Sequence, residues 1–187
     1  EIPIVPIFVN SVGWPLTPLT RAVELGKAVA RAAETLDKKV LMLASGGMSH
    51  DPPMPDWDAV PPEVQAKLTS GQKTREERAI RENGMLQAME RIVSGDEVVE
   101  PHGLNEEWDQ ELLAVLRSGD FSAVENWTNQ DWITRGGVGS QECRTWLAAF
   151  AGLSTNGAYR MVVDKYWALE SLDGGFAICA AVTEDAQ

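Results

Sequence analysis

Apolar residues run almost without a break from Ile4 to Val9 and again from Val40 to Leu43. Short apolar runs rich in branched side chains predict strands buried on both faces, as in a parallel or mixed sheet covered by helices. Between them Ala22-Val23, Leu25-Gly26, Ala28-Val29 and Ala32-Ala33 recur at helical spacing up to about Leu36. Thr17-Pro18 or Thr20 supplies a hydroxyl cap and an early proline for that helix. Its small residues predict close packing on the sheet. The stretch from Ile4 to Leu43 therefore predicts β-α-β with a right-handed crossover.

Further along, Pro61-Pro62-Glu63 opens a short helix through Leu68, and Thr74 with Glu77 has capping-box spacing. A long helix from Arg75 to about Ser94 carries Ile80, Met85, Met89, Ile92 and Val93 as a packing stripe. Asn105 caps a helix containing Trp108, Leu112, Leu113, Val115 and Leu116, stopped at Ser118-Gly119-Asp120. Ala123-Val124 and Trp127 to Ile133 read as helical, and Gly136-Gly137-Val138-Gly139 breaks the chain. Ser140 then caps an apolar helix from Gln141 to Leu153. Two strands, Tyr159–Tyr166 and Phe176–Val182, flank the turn residues Asp173-Gly174-Gly175. The fold class is α/β: a mixed sheet covered by helices on both faces.

Composition narrows the partners. In 187 residues, 44% are hydrophobic and 24% charged, an ordinary globular mixture. The formal net charge of -12 disfavours nucleic acid and anionic membranes, which require a positive footprint. Cys143 and Cys179 form neither a metal cluster nor a disulfide framework, which fits a reducing cytoplasm. No apolar stretch reaches the roughly 18–20 residues of a membrane span. The chain opens on Glu1 directly into the first strand, as in the C-terminal part of a larger single domain, with processing, an artificial boundary or disorder before Glu1 as the alternatives.

Candidate chemistry gathers after the second strand, in Ala44-Ser45-Gly46-Gly47-Met48-Ser49-His50-Asp51-Pro52-Pro53. Two glycines permit a sharp turn and two prolines stiffen the exit. One histidine is thus held on a short rigid loop at the carboxyl end of a strand, where ligands bind in open α/β sheets. Histidine titrates near neutral pH and can give or take a proton. A loop histidine that merely caps a turn is the plainer reading. The other histidine, His102, lies in the linker Val98 to Gly103. Met54-Pro55-Asp56-Trp57-Asp58 reads as an ordered loop over a site. Asn10, at a strand end, either caps a turn or points into a site. Glu142, in the first turn of its predicted helix, either serves the macrodipole or ligates a metal.

Ser45-Gly46-Gly47-Met48-Ser49-His50-Asp51-Pro52-Pro53 resembles the segment around an acid–base histidine in the type III extradiol ring-cleavage dioxygenases, non-haem iron enzymes that open catechol rings. Gly139-Ser140-Gln141-Glu142-Cys143-Arg144-Thr145-Trp146 resembles the region of the family's iron-binding glutamate. Leu104 to Asp109 and Trp127 to Ile133 resemble further family segments, so the likeness runs from Ile4 to about Val182. It implies Fe(II) held by two histidines and a glutamate, with positions open to catechol and dioxygen. By that resemblance Glu142 is the iron ligand and His50 the acid–base residue, while Asn10 and Ser49 flank the pocket as substrate-binding candidates. The family's two histidine ligands and a second acid–base histidine lie in an earlier portion, and His102 matches none of them.

The resemblance therefore makes residues 1–187 the C-terminal portion of an extradiol dioxygenase catalytic domain. The missing portion belongs to a longer enzyme, sits on a complementary chain, or has been lost from a degenerate relative. Retention of both His50 and Glu142 favours the first. The expected activity is extradiol ring cleavage of a catechol-type aromatic in aromatic catabolism, by a homo-oligomer. The alternatives are a non-catalytic subunit or binding module on the same scaffold and, last, a hydrolase using His50. No Gly-x-Ser-x-Gly elbow is present, and Ser49 directly precedes His50.

Overall fold

The computed structural model describes residues 2–11, 13, 15–52, 60–71, 73–96 and 103–183. His102, Pro53 and the Met54–Asp58 loop, including Trp57, lie outside the described residues. Two units are present: Glu1–Asp51 with Pro101–Gln187, and Pro52–Glu100.

In the first unit, α1 (Leu19–Glu34) packs along α6 (Arg144–Ser154). Their backbones meet at a glycine: a Cβ on Gly26 would lie 1.8 Å from the Ala148 carbonyl oxygen. The small residues of α1 thus serve close packing on a helix, not on a sheet as the pattern predicted. Pro18 occupies the N-cap, with no side-chain cap from Thr17 or Thr20. The α4 helix (Glu106–Ser118) is capped by Asn105, whose Oδ1 accepts from Trp108 N at 3.0 Å. Gly119 ends it in the left-handed region. A 3-10 turn (Ser122–Asn126) leads to α5 (Asn129–Gly136), which Thr128 and Asp131 cap reciprocally. The core comprises Leu19 and Val23 of α1, Trp108, Leu112, Leu113 and Leu116 of α4, and Leu147 and Ala151 of α6, with Trp132 and Met48.

Among the described residues the sheet is one antiparallel pair, β1 (Tyr159–Leu169) and β2 (Gly174–Thr183), in register from Tyr159↔Thr183 to Leu169↔Gly174. Asp173 makes the turn at φ 47°. Helices and sheet together agree with the α/β class, but the sheet is narrower than the pattern predicts. Residues 4–9 and 40–43 form no helix and join no ladder. Phe8 is 93% and Leu43 85% exposed. Apolar β-prone sequence makes a strand only where a neighbour exchanges backbone hydrogen bonds with it. No such neighbour flanks these segments among the described residues.

The second unit holds α2 (Pro62–Thr69) and α3 (Arg75–Ser94). The capping box at Thr74 and Glu77 forms as predicted. The expected packing stripe does not: Ile80, Met85, Met89 and Val93 are exposed. Arg78 and Glu82 begin the same helical face that Met85 and Met89 continue, so charge interrupts the stripe.

Candidate functional site

His50 is fixed on both sides of its backbone. Its N–H donates to the Gly136 carbonyl at 2.9 Å, and its carbonyl accepts from Gly139 N at 3.1 Å. The ring Nδ1 faces the Met48 carbonyl oxygen at 2.9 Å. A carbonyl only accepts, so Nδ1 carries the hydrogen and the lone pair of the neutral ring lies on Nε2. Nε2 rests against Gly139, where a Cβ would come within 2.2 Å of it. Gly47 also lies against the ring, with its Cβ position 2.6 Å from Cε1.

Glu142 reaches the same loop. Its Oε2 accepts from Gly47 N at 2.8 Å. Gly46, at φ 135°, brings its own backbone against the Glu142 side chain, an approach and a conformation that favour glycine. Glu142 is not in the first turn of an α-helix, as its sequence position suggested. Val138–Cys143 forms a 3-10 turn, and α6 begins only at Arg144. Ser140 accordingly caps no helix; its hydroxyl donates to the Gly137 carbonyl at 2.7 Å. The tighter turn follows from the contacts that seat it on the histidine loop. Val138 N donates to Asp51 Oδ1 at 3.0 Å, Cys143 Sγ donates to the Gly47 carbonyl at 3.1 Å, and Thr145 Oγ1 donates to the Ser45 carbonyl. Burial pushes the Cys143 thiol well up, so it acts here as a neutral donor.

Of the four candidate residues, the structure brings His50 and Glu142 together around Gly46-Gly47. Ser49 is fully buried and faces inward, with its hydroxyl donating to Asp109 Oδ2 at 2.8 Å. Asn10 is exposed and closes a turn on Gly13, accepting from its N–H at 2.9 Å.

Two buried charged residues escaped the sequence reading. Arg144 donates to Gln141 Oε1 (2.9 Å), the Thr17 carbonyl (2.7 Å) and Asn129 Oδ1, all neutral acceptors, and its burial lowers its pKa. It ties the turn that carries Glu142 to the approaches of α1 and α5. Asp109 is the second. It shares the spacing of Leu112, Leu113 and Leu116, so its place on the apolar face of α4 was available as a signal.

As a metal centre the described residues are incomplete. No group of three His, Cys, Asp or Glu side chains among them comes together to hold an ion. One carboxylate, with an oxygen already bound to Gly47 N, does not by itself retain a non-haem iron. Beside this loop, an apolar groove of about 770 Å³ runs between α1, residues 38–46, α6 and β2, past Leu43, Trp146, Phe150 and Ile178. Among the described residues the Trp146 Nε1 has no hydrogen-bond partner. Among the described residues no helix is long and apolar enough to cross a membrane.

The family model described as the catalytic LigB subunit of aromatic ring-opening dioxygenase matches residues 1–175. The chain is 44% identical over 185 residues to the 2,3-dihydroxyphenylpropionate/2,3-dihydroxicinnamic acid 1,2-dioxygenase of Rhodococcus jostii (strain RHA1), covering 98% of this chain and 58% of that protein. It is 42% identical over 176 residues to the protein of the same name from Cupriavidus necator, covering 94% of this chain and 55% of the relative. With the Photorhabdus laumondii relative it shares 41% identity over 180 residues, 96% of this chain and 56% of that one. The chain thus spans little more than half the length of these curated relatives.

Proposed function

Because the chain belongs to the family of LigB catalytic subunits of aromatic ring-opening dioxygenases, we propose that it carries the proton-handling half of an extradiol ring-cleaving site. The observation that carries this reading is the sharing of Gly47: its N–H binds the Glu142 carboxylate while its Cα flanks the His50 ring. A base and a candidate metal-binding carboxylate thereby meet at one loop.

His50 is the acid–base residue. With Nδ1–H held on the Met48 carbonyl, Nε2 takes a proton from a catechol hydroxyl and returns it later in the cycle. The ring opens beside the diol, and both atoms of dioxygen enter a muconic semialdehyde-type product. Fe(II) is the metal of this reading. Glu142 is one of its donors, and the histidine donors come from polypeptide beyond this chain, either an N-terminal portion or a complementary chain. We infer a catechol with an acidic side chain as substrate, since the relatives are named for dihydroxyphenylpropionate and dihydroxycinnamic acid. A homo-oligomer in the cytoplasm fits the same reading, where free thiols such as Cys143 and Cys179 persist.

The test is intact mass and iron content on one purified sample, followed by oxygen uptake with a dihydroxyphenyl acid. The expected result is about one iron per complete site and a yellow ring-fission product. Full oxygen uptake by His50→Ala would overturn the role of His50. A sample that binds the catechol but neither iron nor oxygen would instead favour a non-catalytic subunit.

A further inference from the structure

The Asp109 carboxylate is fully buried, and none of the chemistry above uses it. It accepts three hydrogen bonds: from Ser49 N at 2.7 Å, Ser49 Oγ at 2.8 Å and Tyr166 Oη at 2.8 Å. Desolvation raises its pKa, and the donors from Tyr166 and Ser49 oppose that rise. Ser49 in turn accepts from Asn105 N at 2.8 Å, the residue that caps α4. Its carbonyl accepts from Gly175 N at 2.8 Å, and Met48 N donates to the Gly175 carbonyl at 3.2 Å. The carboxylate fits only because β2 has glycine there: a Cβ on Gly175 would lie 1.9 Å from Asp109 Oδ2.

Ser49 separates the two residues that define the state of the imidazole. Met48 supplies the carbonyl that holds Nδ1–H, and His50 carries the ring. Both peptide groups of Ser49 are pinned, its N–H by Asp109 and its carbonyl by Gly175. A carboxylate suits this place because it only accepts and meets three donors. Asparagine keeps an acceptor for Ser49 N only by turning its NH2 group toward the Ser49 and Tyr166 hydroxyls, which reverses both of those bonds.

We propose that Asp109 is a positioning residue for His50: through the N–H and hydroxyl of Ser49 it fixes the loop geometry in which the Met48 carbonyl holds Nδ1–H and leaves the lone pair on Nε2. The inference rests on the reading of His50 as the base, but its test needs neither metal nor substrate. The readout is the imidazole 15N spectrum of the protein in a His102→Gln background, where His50 is the remaining histidine. The parent protein shows the Nδ1–H tautomer. Ser49→Ala and Asp109→Asn each lower the ratio of Nδ1–H to Nε2–H by about threefold or more, the scale of one weakened hydrogen bond. Tyr166→Phe removes a donor from the same carboxylate but leaves the Ser49 contacts, and it changes the ratio less than Ser49→Ala does.

Three results overturn the proposal: an Nε2–H tautomer in the parent, an unchanged His50 spectrum in folded Ser49→Ala, or equal responses to Ser49→Ala and Tyr166→Phe. Should Asp109→Asn fail to fold, the comparison of Ser49→Ala with Tyr166→Phe decides alone. A protein that opens no catechol yet shows the predicted tautomer pattern would sink the ring-cleavage reading and leave the role of Asp109 standing.

Discussion

Val40–Leu43 and the loop that follows it are contiguous in sequence and opposite in structure. The four apolar residues have no ladder, and Leu41 is 78% exposed. Eight residues on, Ser49 is fully buried, and nearly every polar group from Gly47 to Asp51 has a named partner on α4, α5, β2 or the Val138–Cys143 turn. Apolar character alone leaves a segment without definite neighbours, because burial is non-directional. A loop threaded with hydrogen bonds to four elements has one arrangement, because a misplaced partner leaves a buried polar group unsatisfied. The chemistry sits on the second kind of segment.

The largest effect we expect is from removing the base. His50→Ala in enzyme competent for ring cleavage lowers kcat by about 10²–10⁴, the usual contribution of a general base, with the thermal midpoint little changed. Steady-state oxygen uptake beside a melting curve checks this. A loss of stability equal to the loss of activity would make His50 a structural residue of the loop.

Gly139→Ala probes the same place from the turn that carries Glu142. The added methyl enters the space 2.2 Å from Nε2, and the ring must turn off the Met48 carbonyl to accept it. Displacing a reacting group by about 1 Å costs on the order of 10² in rate. We therefore expect kcat to fall by about that factor while KM changes less. Wild-type kcat in this variant would mean that the ring works from another orientation.

The packed half of the first unit is tested at the α1–α6 crossing. Gly26→Val places side-chain carbon where the Ala148 carbonyl lies, and the two helices must separate. Overpacking of this kind costs about 1–3 kcal/mol, read as a lower denaturant midpoint at unchanged slope. An unchanged midpoint would mean that the two helices do not meet there in solution.

Much of the fold was legible in the sequence because its signals are local. The Asn105 cap, the Thr74–Glu77 box and the turn at Asp173 each depend on residues within a few positions of one another. The rigid loop around His50 was legible for the same reason, from its glycines and prolines. The 3-10 turn under Glu142 was not, since its shape depends on Asp51 and Gly47, some 90 residues away. Asp109 was hidden differently. It follows Glu106 and Glu107 and looks like a third solvated acid of the first turn, although its spacing from Leu112, Leu113 and Leu116 sets it on the buried face. The two early strands were misread because an apolar run states that a segment needs cover, not what covers it.

That last point gives the smallest expected effect and the one that sharpens the comparison most. With Leu41 exposed, Leu41→Ser changes unfolding free energy by no more than about 0.5 kcal/mol, as for other surface positions. It also makes the protein less prone to associate, because an unpaired apolar segment is a template for pairing with another chain. Denaturant unfolding at two protein concentrations measures both quantities. Equal midpoints for the parent and Leu41→Ser at low concentration mean that this segment stands in water as its exposure indicates. A loss of several kcal/mol, growing with concentration, means that Val40–Leu43 is buried in solution against other polypeptide. The contrast with the His50 loop would then be one of completeness: the loop holds its geometry from this chain alone, and the neighbouring segment takes its place in a sheet only when a second surface arrives.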